Sequence, residues 1–142
     1  MAELLDRLQA HVDELVQHHG IAVVEKAGAS PRAGRMRVDG ARVGRIVIRP
    51  IRGRNTYFTA LHEIGHLVAV GGLASGLRLE QEVIAWRWAL DNAIEQPTPG
   101  VWKKIARCLG HYVDRAERWA NMKLPAPEHD FWALLAEARR NA

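Results

Sequence analysis

Apolar residues recur along the start of the chain at helical spacing. Leu4, Leu5, Leu8, Val12, Leu15 and Val16 share one stripe, which predicts an amphipathic helix over residues 3–18, ended by Gly20. Ile21-Ala22-Val23-Val24 is a short apolar run read as a strand. Residues 27–34, rich in Gly, Ala, Ser and Pro, read as a loop. Met36-Arg37-Val38 and Val43 to Arg49 then read as a hairpin around Asp39-Gly40. After Pro50 the helical period returns. Tyr57, Leu61, Ile64 and Val68 form a stripe, with Asn55 or Thr56 as N-cap and Gly71-Gly72 as the stop. A further helix over residues 79–94 places Leu79, Val83, Trp86, Leu90 and Ala93 on one face.

Beyond Pro97-Thr98-Pro99-Gly100 the pattern is helical again, through Val101, Ile105, Cys108, Leu109, Tyr112 and Val113. Pro125-Ala126-Pro127 breaks it, and Phe131, Trp132, Leu134, Leu135 and Ala138 mark a last helix. Trp102, Trp119 and Trp132 read as core packing. No internal repeat is visible. The order predicts one α+β domain over residues 1–142. A small antiparallel or mixed sheet of about three strands packs on the helix that follows the hairpin, with further helices N- and C-terminal. Residues 1–95 form its core and residues 96–142 a helical extension.

The helix after the hairpin carries His62-Glu63-Ile64-Gly65-His66, an H-E-x-x-H pattern. Residues four apart lie on one helical face, so both imidazoles can address one metal ion. Zn²⁺ favours nitrogen ligands in four-coordinate geometry. Glu63 is off that ligand face but within reach of an activated water, where it serves as general base. The apolar stripe predicts a buried helix, and two His and a Glu are costly to bury unless a partner such as a metal satisfies them.

A catalytic zinc takes three protein ligands and keeps one open position. The extended motif H-E-x-x-H-x-x-G-x-x-H fails here, because Ala69 and Gly72 stand at its Gly and third His. An acidic ligand from the next helix remains, and that helix offers Glu80 and Glu82. Glu82 sits at the edge of the apolar face beside Trp86 and Ala89. Glu80 sits with Arg87 and Asp91 on what reads as a solvated side. A carboxylate on the apolar side needs a compensating partner, so Glu82 is the expected third ligand. Glu80 is equally explained as a charge at the positive end of the helix.

At these residues the chain resembles the ImmA/IrrE family of zinc metallopeptidases, over about residues 1–95. The family pairs H-E-[LI]-G-H with a later helix of the type E-x-E-[AV]-x-x-[FW]-A. Here the matching residues are His62 to His66, then Glu80-Gln81-Glu82-Val83 with Trp86 at the aromatic position. The resemblance implies a minimal zincin-like fold, His62 and His66 as zinc ligands, Glu63 as catalytic base and a Glu of the second motif as third ligand. It also implies a protein substrate, since family members cut helix-turn-helix transcriptional repressors of phages, mobile elements and stress responses. By likeness to zinc peptidases, the edge of the sheet binds substrate by strand addition, and Arg45 to Arg49 is the expected edge strand.

Composition narrows the setting. With one cysteine, Cys108, an intramolecular disulfide is excluded, and a reducing, cytoplasmic compartment fits. The first residues lack the pattern of a signal peptide, and no apolar run reaches the length of a membrane span. Cys108 and His111 read as a buried thiol and an unrelated polar residue, and His18-His19 as charges at a helix end. The formal net charge is +4, with eight arginines from Arg32 to Arg54 (Arg32, Arg35, Arg37, Arg42, Arg45, Arg49, Arg52 and Arg54) against the single acid Asp39. Such a run either marks a solvated strand face or attracts an acidic protein or nucleic acid. Tyr57, His111, Tyr112 and the Arg-rich segment are candidates for stabilising an oxyanion.

Three functions follow. The first is a zinc endopeptidase acting on a regulatory protein. The second is a zinc-bearing module that sequesters a partner without cutting it. The third is a small basic protein that binds nucleic acid through the Arg segment.

Overall fold

The computed structural model describes residues 2–70, 78–118 and 123–142. Helix α1, Ala2–His18, is followed by strands β1, Ala22–Glu25, β2, Arg32–Val38, and β3, Ala41–Ile48. Helix α2, Arg54–Gly65, continues into a π-helical segment, His66–Val70. Helices α3, Arg78–Asn92, α4, Pro99–Arg118, and α5, Asp130–Asn141, complete the α+β fold. Gly71, Gly72 and Trp119 lie outside the described residues.

The three-stranded sheet is mixed, in the order β1-β3-β2. β3 pairs with β1 in parallel, from Ala22 opposite Arg45 to Glu25 opposite Ile48. It pairs with β2 antiparallel, from Arg32 opposite Val47 to Val38 opposite Ala41. Asp39 and Gly40 close this hairpin with positive φ at both positions, 50° and 83°. That is the backbone a two-residue turn needs to match the strand twist.

Two expectations are corrected here. Residues 32–34 are not loop but the first part of β2, because Arg32, Ala33 and Gly34 find partners on β3. Arg45 to Arg49 is not the edge. Ile46, Val47 and Ile48 are all buried, so β3 is covered on both faces, and an unbroken apolar run of that kind belongs to a central strand. The edges are β1, with exposed Val23 and Val24, and the arginine-bearing β2.

α2 occupies the middle of the molecule. Every residue from Tyr57 to Gly65 is buried. It starts earlier than expected, with Gly53 as N-cap, two residues before Asn55 and three before Thr56. Thr56 works from inside the first turn. Its hydroxyl accepts from the N–H groups of Arg52 (2.8 Å) and Gly53 (3.2 Å), as a third-position residue does in a reciprocal cap. α4 begins with Pro99 in its first turn, and the Thr98 hydroxyl accepts from the N–H of Val101.

One apolar core unites these elements. Leu8 and Val12 of α1, Ile46 and Ile48 of β3, Phe58, Leu61 and Ile64 of α2 and Trp86 of α3 belong to it. So do Ile105 and Leu109 of α4 and Phe131 and Leu134 of α5. Trp102 and Trp132 are half-buried against it. Arg87 forks onto Asp130 of α5 at 2.8 and 2.9 Å and reaches Glu137 at 3.2 Å. The side of α3 expected to face solvent is thus partly covered by α5, while Asp91 stays exposed. Among the described residues, no helix is long and apolar enough to cross a membrane.

Candidate metal centre

α2 presents His62, and the π-helical segment that continues it presents His66 one turn on, with ring centroids 4.6 Å from each other. α3 brings Glu82 to both. Glu82 Oε2 lies 2.9 Å from His62 Nε2, and Glu82 Oε1 lies 3.0 Å from His66 Nε2. One ligand atom from each of the three residues falls within 4.8 Å of the others. Glu80 is elsewhere. Its carboxylate is 4.0 Å from His129 Nε2, toward the start of α5.

Close helix packing makes this possible. Gly65 lies against the backbone of Ala85, and a β-carbon there would meet Ala85 O at 2.7 Å. Glu82 and Ala85 are one turn apart on α3, as His62 and Gly65 are on α2, so the contact sets the spacing of the three side chains. Trp86, fully buried, lies flat on the His62 ring at 4.0 Å and 14° and fixes its plane. Cys108 of α4 directs its thiol at Glu82 Oε2, 3.6 Å away. Burial and the Glu82 carboxylate push the Cys108 pKa up to about 12, so it faces Glu82 as a neutral thiol.

His62, Glu63 and Glu82 are all buried. Burial opposes ionisation of Glu82, but hydrogen bonds from the two imidazoles outweigh it and hold the carboxyl well below its usual range. For His62, burial disfavours the charged ring, while Glu63 and Glu82 favour it more, and its pKa is raised. The cluster thus brings a carboxylate and two imidazoles together in a poorly solvated place, an arrangement that could hold a metal ion. Tetrahedral zinc, with ligands about 2 Å away, needs donors roughly 3.3 Å apart. The separations of 2.9 and 3.0 Å run to different oxygens of Glu82, and one ligand atom from each residue lies within 4.8 Å of the others, a spacing open to adjustment around an ion; two nitrogens with a carboxylate are a donor set zinc accepts.

Glu63 points the same way from the intervening position, with Oε1 3.4 Å from His62 Nδ1. A cleft of about 360 Å³ opens onto Glu63, His66 and Glu82. Arg32 and Ala33 of β2 form one wall, and Arg78 and Gln81 of α3 another.

The oxyanion candidates separate. Tyr57 is fully buried, and its hydroxyl is committed between His11 Nδ1 (2.6 Å) and the N–H of Ile94 (3.0 Å). His111 is exposed on α4. Tyr112 is close enough to Glu82 to feel its charge. Burial and the nearby Glu82 carboxylate raise its pKa, against the opposing effect of the Arg78 guanidinium that meets its hydroxyl. Arg78 was not singled out in the sequence, because its place depends on α4 meeting the start of α3. The arginines from Arg32 to Arg52 are exposed, while Arg54 is half-buried and paired with Glu95 at 3.4 Å. No family model, curated protein or solved structure matches this chain.

Proposed function

We propose that the chain is a zinc-dependent endopeptidase of the ImmA/IrrE kind, with a regulatory protein as substrate. A helix-turn-helix repressor is the substrate class implied by the resemblance at His62 to His66 and Glu80 to Val83. The observation that carries this reading is the convergence of His62, His66 and Glu82 beside Glu63 on one open cleft. A purely structural zinc site is usually closed by four protein ligands. Among the described residues, His62, His66 and Glu82 are the group whose ligand atoms all lie within 4.8 Å of one another, while Cys108 faces Glu82 as a neutral thiol.

His62, His66 and Glu82 would hold the ion, and zinc, when bound, polarises the scissile carbonyl and makes water acidic near neutral pH. Glu63 takes the proton from the attacking water and delivers it to the leaving amine. Trp86 and the Cys108 thiol keep His62 and Glu82 in place while this happens. Arg78 and the Tyr112 hydroxyl supply donors for negative charge developing on the carbonyl oxygen. β2 borders the cleft with the edge that β3 leaves unpaired, so an extended substrate segment adds there as a further strand. Seating the substrate on β2 replaces the expectation that Arg45 to Arg49 would do so.

The test is incubation of the zinc-loaded protein with a helix-turn-helix repressor encoded beside its gene. Wild type cuts it. Glu63→Gln keeps zinc and fold but loses activity by on the order of 10²–10⁴-fold. Undiminished cleavage by Glu63→Gln ends the general-base role. A stoichiometric complex that forms without cleavage, equally in both proteins, identifies a binding module instead.

A further inference from the structure

A second, smaller pocket, of about 230 Å³, lies between the end of β3, α2 and α4. Two cations face it. Lys104 Nζ donates to Thr59 Oγ1 at 2.6 Å, and that hydroxyl in turn donates to the carbonyl of Asn55 at 2.8 Å. Arg49 uses its Nε–H on the carbonyl of Ala29, at 2.8 Å, which leaves both terminal nitrogens of the guanidinium without a partner among the described residues. Among the described residues, no carboxylate is within ion-pair distance of either cation. Asn55, Thr56 and Thr59 add polar groups to the lining. Two positive side chains that share a pocket without a counter-charge form a half-built ion pair.

The pocket adjoins the cleft. Pro31 lines both. Thr59 and Glu63 are four residues apart on α2, on one face and about 6 Å apart along the axis. A chain seated at Glu63 therefore has a neighbouring group within reach of Lys104 and Arg49.

We infer that this pocket is a carboxylate subsite, in which Lys104 and Arg49, with Thr59 between them and the general base, bind an acidic group of the polypeptide held in the cleft. The mutual repulsion of the cations agrees with this. Desolvation, then the Arg49 charge, lower the Lys104 pKa, and Glu63 only partly offsets them. A bound carboxylate relieves that strain. Lys104 keeps two N–H donors beyond the one given to Thr59, and Arg49 supplies a planar pair, enough for both oxygens of one carboxylate. As a substrate subsite the pocket rests on the peptidase reading, whereas as an anion site it stands alone.

The carboxylate comes from an acidic side chain or from a chain terminus, and three small probes separate these. N-acetylglutamic acid α-amide carries only the side-chain carboxylate, N-acetylglutamine only the terminal one, and N-acetylglutaminamide neither. Each is titrated into the full-length protein while the Thr59 methyl and Lys104 side-chain NMR signals are followed. Saturable shifts with one or both acidic probes, absent with N-acetylglutaminamide, are expected, and the acidic probe that binds more tightly names the source. Lys104→Gln and Arg49→Gln each weaken binding by about fivefold or more, and Lys104→Arg restores it. Equal response to all three probes, no saturation, or unchanged affinity in both Gln variants overturns the site. Saturable, charge-dependent shifts in a protein that cuts no peptide support the site and remove the peptidase reading alone.

Discussion

Gly65 of α2 and Ala85 of α3 meet backbone to backbone, with room for a hydrogen at Gly65 but not for a methyl group. An added β-carbon would lie 2.7 Å from Ala85 O and 3.2 Å from Ala85 Cα. Backbone atoms within a helix cannot swing aside as the end of a flexible side chain does. Gly65→Ala therefore forces the helices apart, and overpacking of this kind costs about 1–3 kcal/mol. The better helix propensity of alanine returns at most about 1 kcal/mol. The expected outcome is a lower urea midpoint together with weaker zinc binding, because Glu82 moves away from His62 and His66. A variant with higher stability and unchanged zinc affinity would show that this contact does not set the ligand spacing.

The two glutamates of α3 make a direct comparison. Glu82 bridges both imidazoles from a buried position, whereas Glu80 is half-exposed near His129. Glu82→Ala should strip most of the zinc from the purified protein, and Glu80→Ala should leave the metal content near that of wild type. Removal of one ligand that also leaves the buried His62 and the half-buried His66 facing a void is costly, whereas trimming a half-exposed charge is usually worth less than about 1 kcal/mol. Metal analysis of the two variants decides, and the reverse order would reassign the third ligand.

Much of this was legible in the chain because it is local. The period-2 and period-3.6 patterns locate the helices and the hairpin, and the i, i+4 spacing alone puts His62 and His66 on one face. Glu82 was reachable by asking which carboxylate lies toward the apolar face of α3. The position of β3 was readable too, since Ile46-Val47-Ile48 is apolar on both faces, but the expectation followed resemblance to zinc peptidases and not the residues. What sequence could not supply is tertiary. Cys108 and Lys104 sit on α4, more than 20 residues beyond the metal motif, and nothing in their spacing points at Glu82 or Thr59. Arg87 looked like a solvated charge because its partners, Asp130 and Glu137, come from the last helix.

Tyr57 ties three segments together far from any role in chemistry. Its hydroxyl accepts from Ile94 N–H, and so donates to His11 Nδ1, which must be unprotonated. Tyr57→Phe should lower stability by about 1–2 kcal/mol while leaving peptidase activity and zinc content unchanged. Burial lowers the His11 pKa below 6.5, with Glu14 opposing. A folded-state value below the unfolded one means that the unfolded chain takes up the proton more readily. The His11 contribution is then complete above pH 6.5 and is lost as pH falls from 6.5 to the folded-state value. An NMR titration of the His11 ring checks this, and a midpoint at or above 6.5 in the folded protein would contradict it.

Tyr112 and Arg78 give the sharpest kinetic prediction. Arg78 lines the cleft beside Glu82, and its guanidinium meets the hydroxyl of Tyr112, which feels the Glu82 charge. A donor aimed at charge that appears only in the transition state affects kcat more than KM. Tyr112→Phe removes the hydroxyl and keeps the ring, and Arg78→Gln removes the charge and keeps a donor. Each should lower kcat by on the order of 10²-fold if its group touches the oxyanion, with KM changed only a few-fold. Neither should change zinc content, which separates this role from support of Glu82. The double variant should fall by less than the product of the two single losses, because donors that position one another act as a unit. A loss confined to KM in both variants would assign Arg78 and Tyr112 to holding substrate and would leave charge stabilisation to another group.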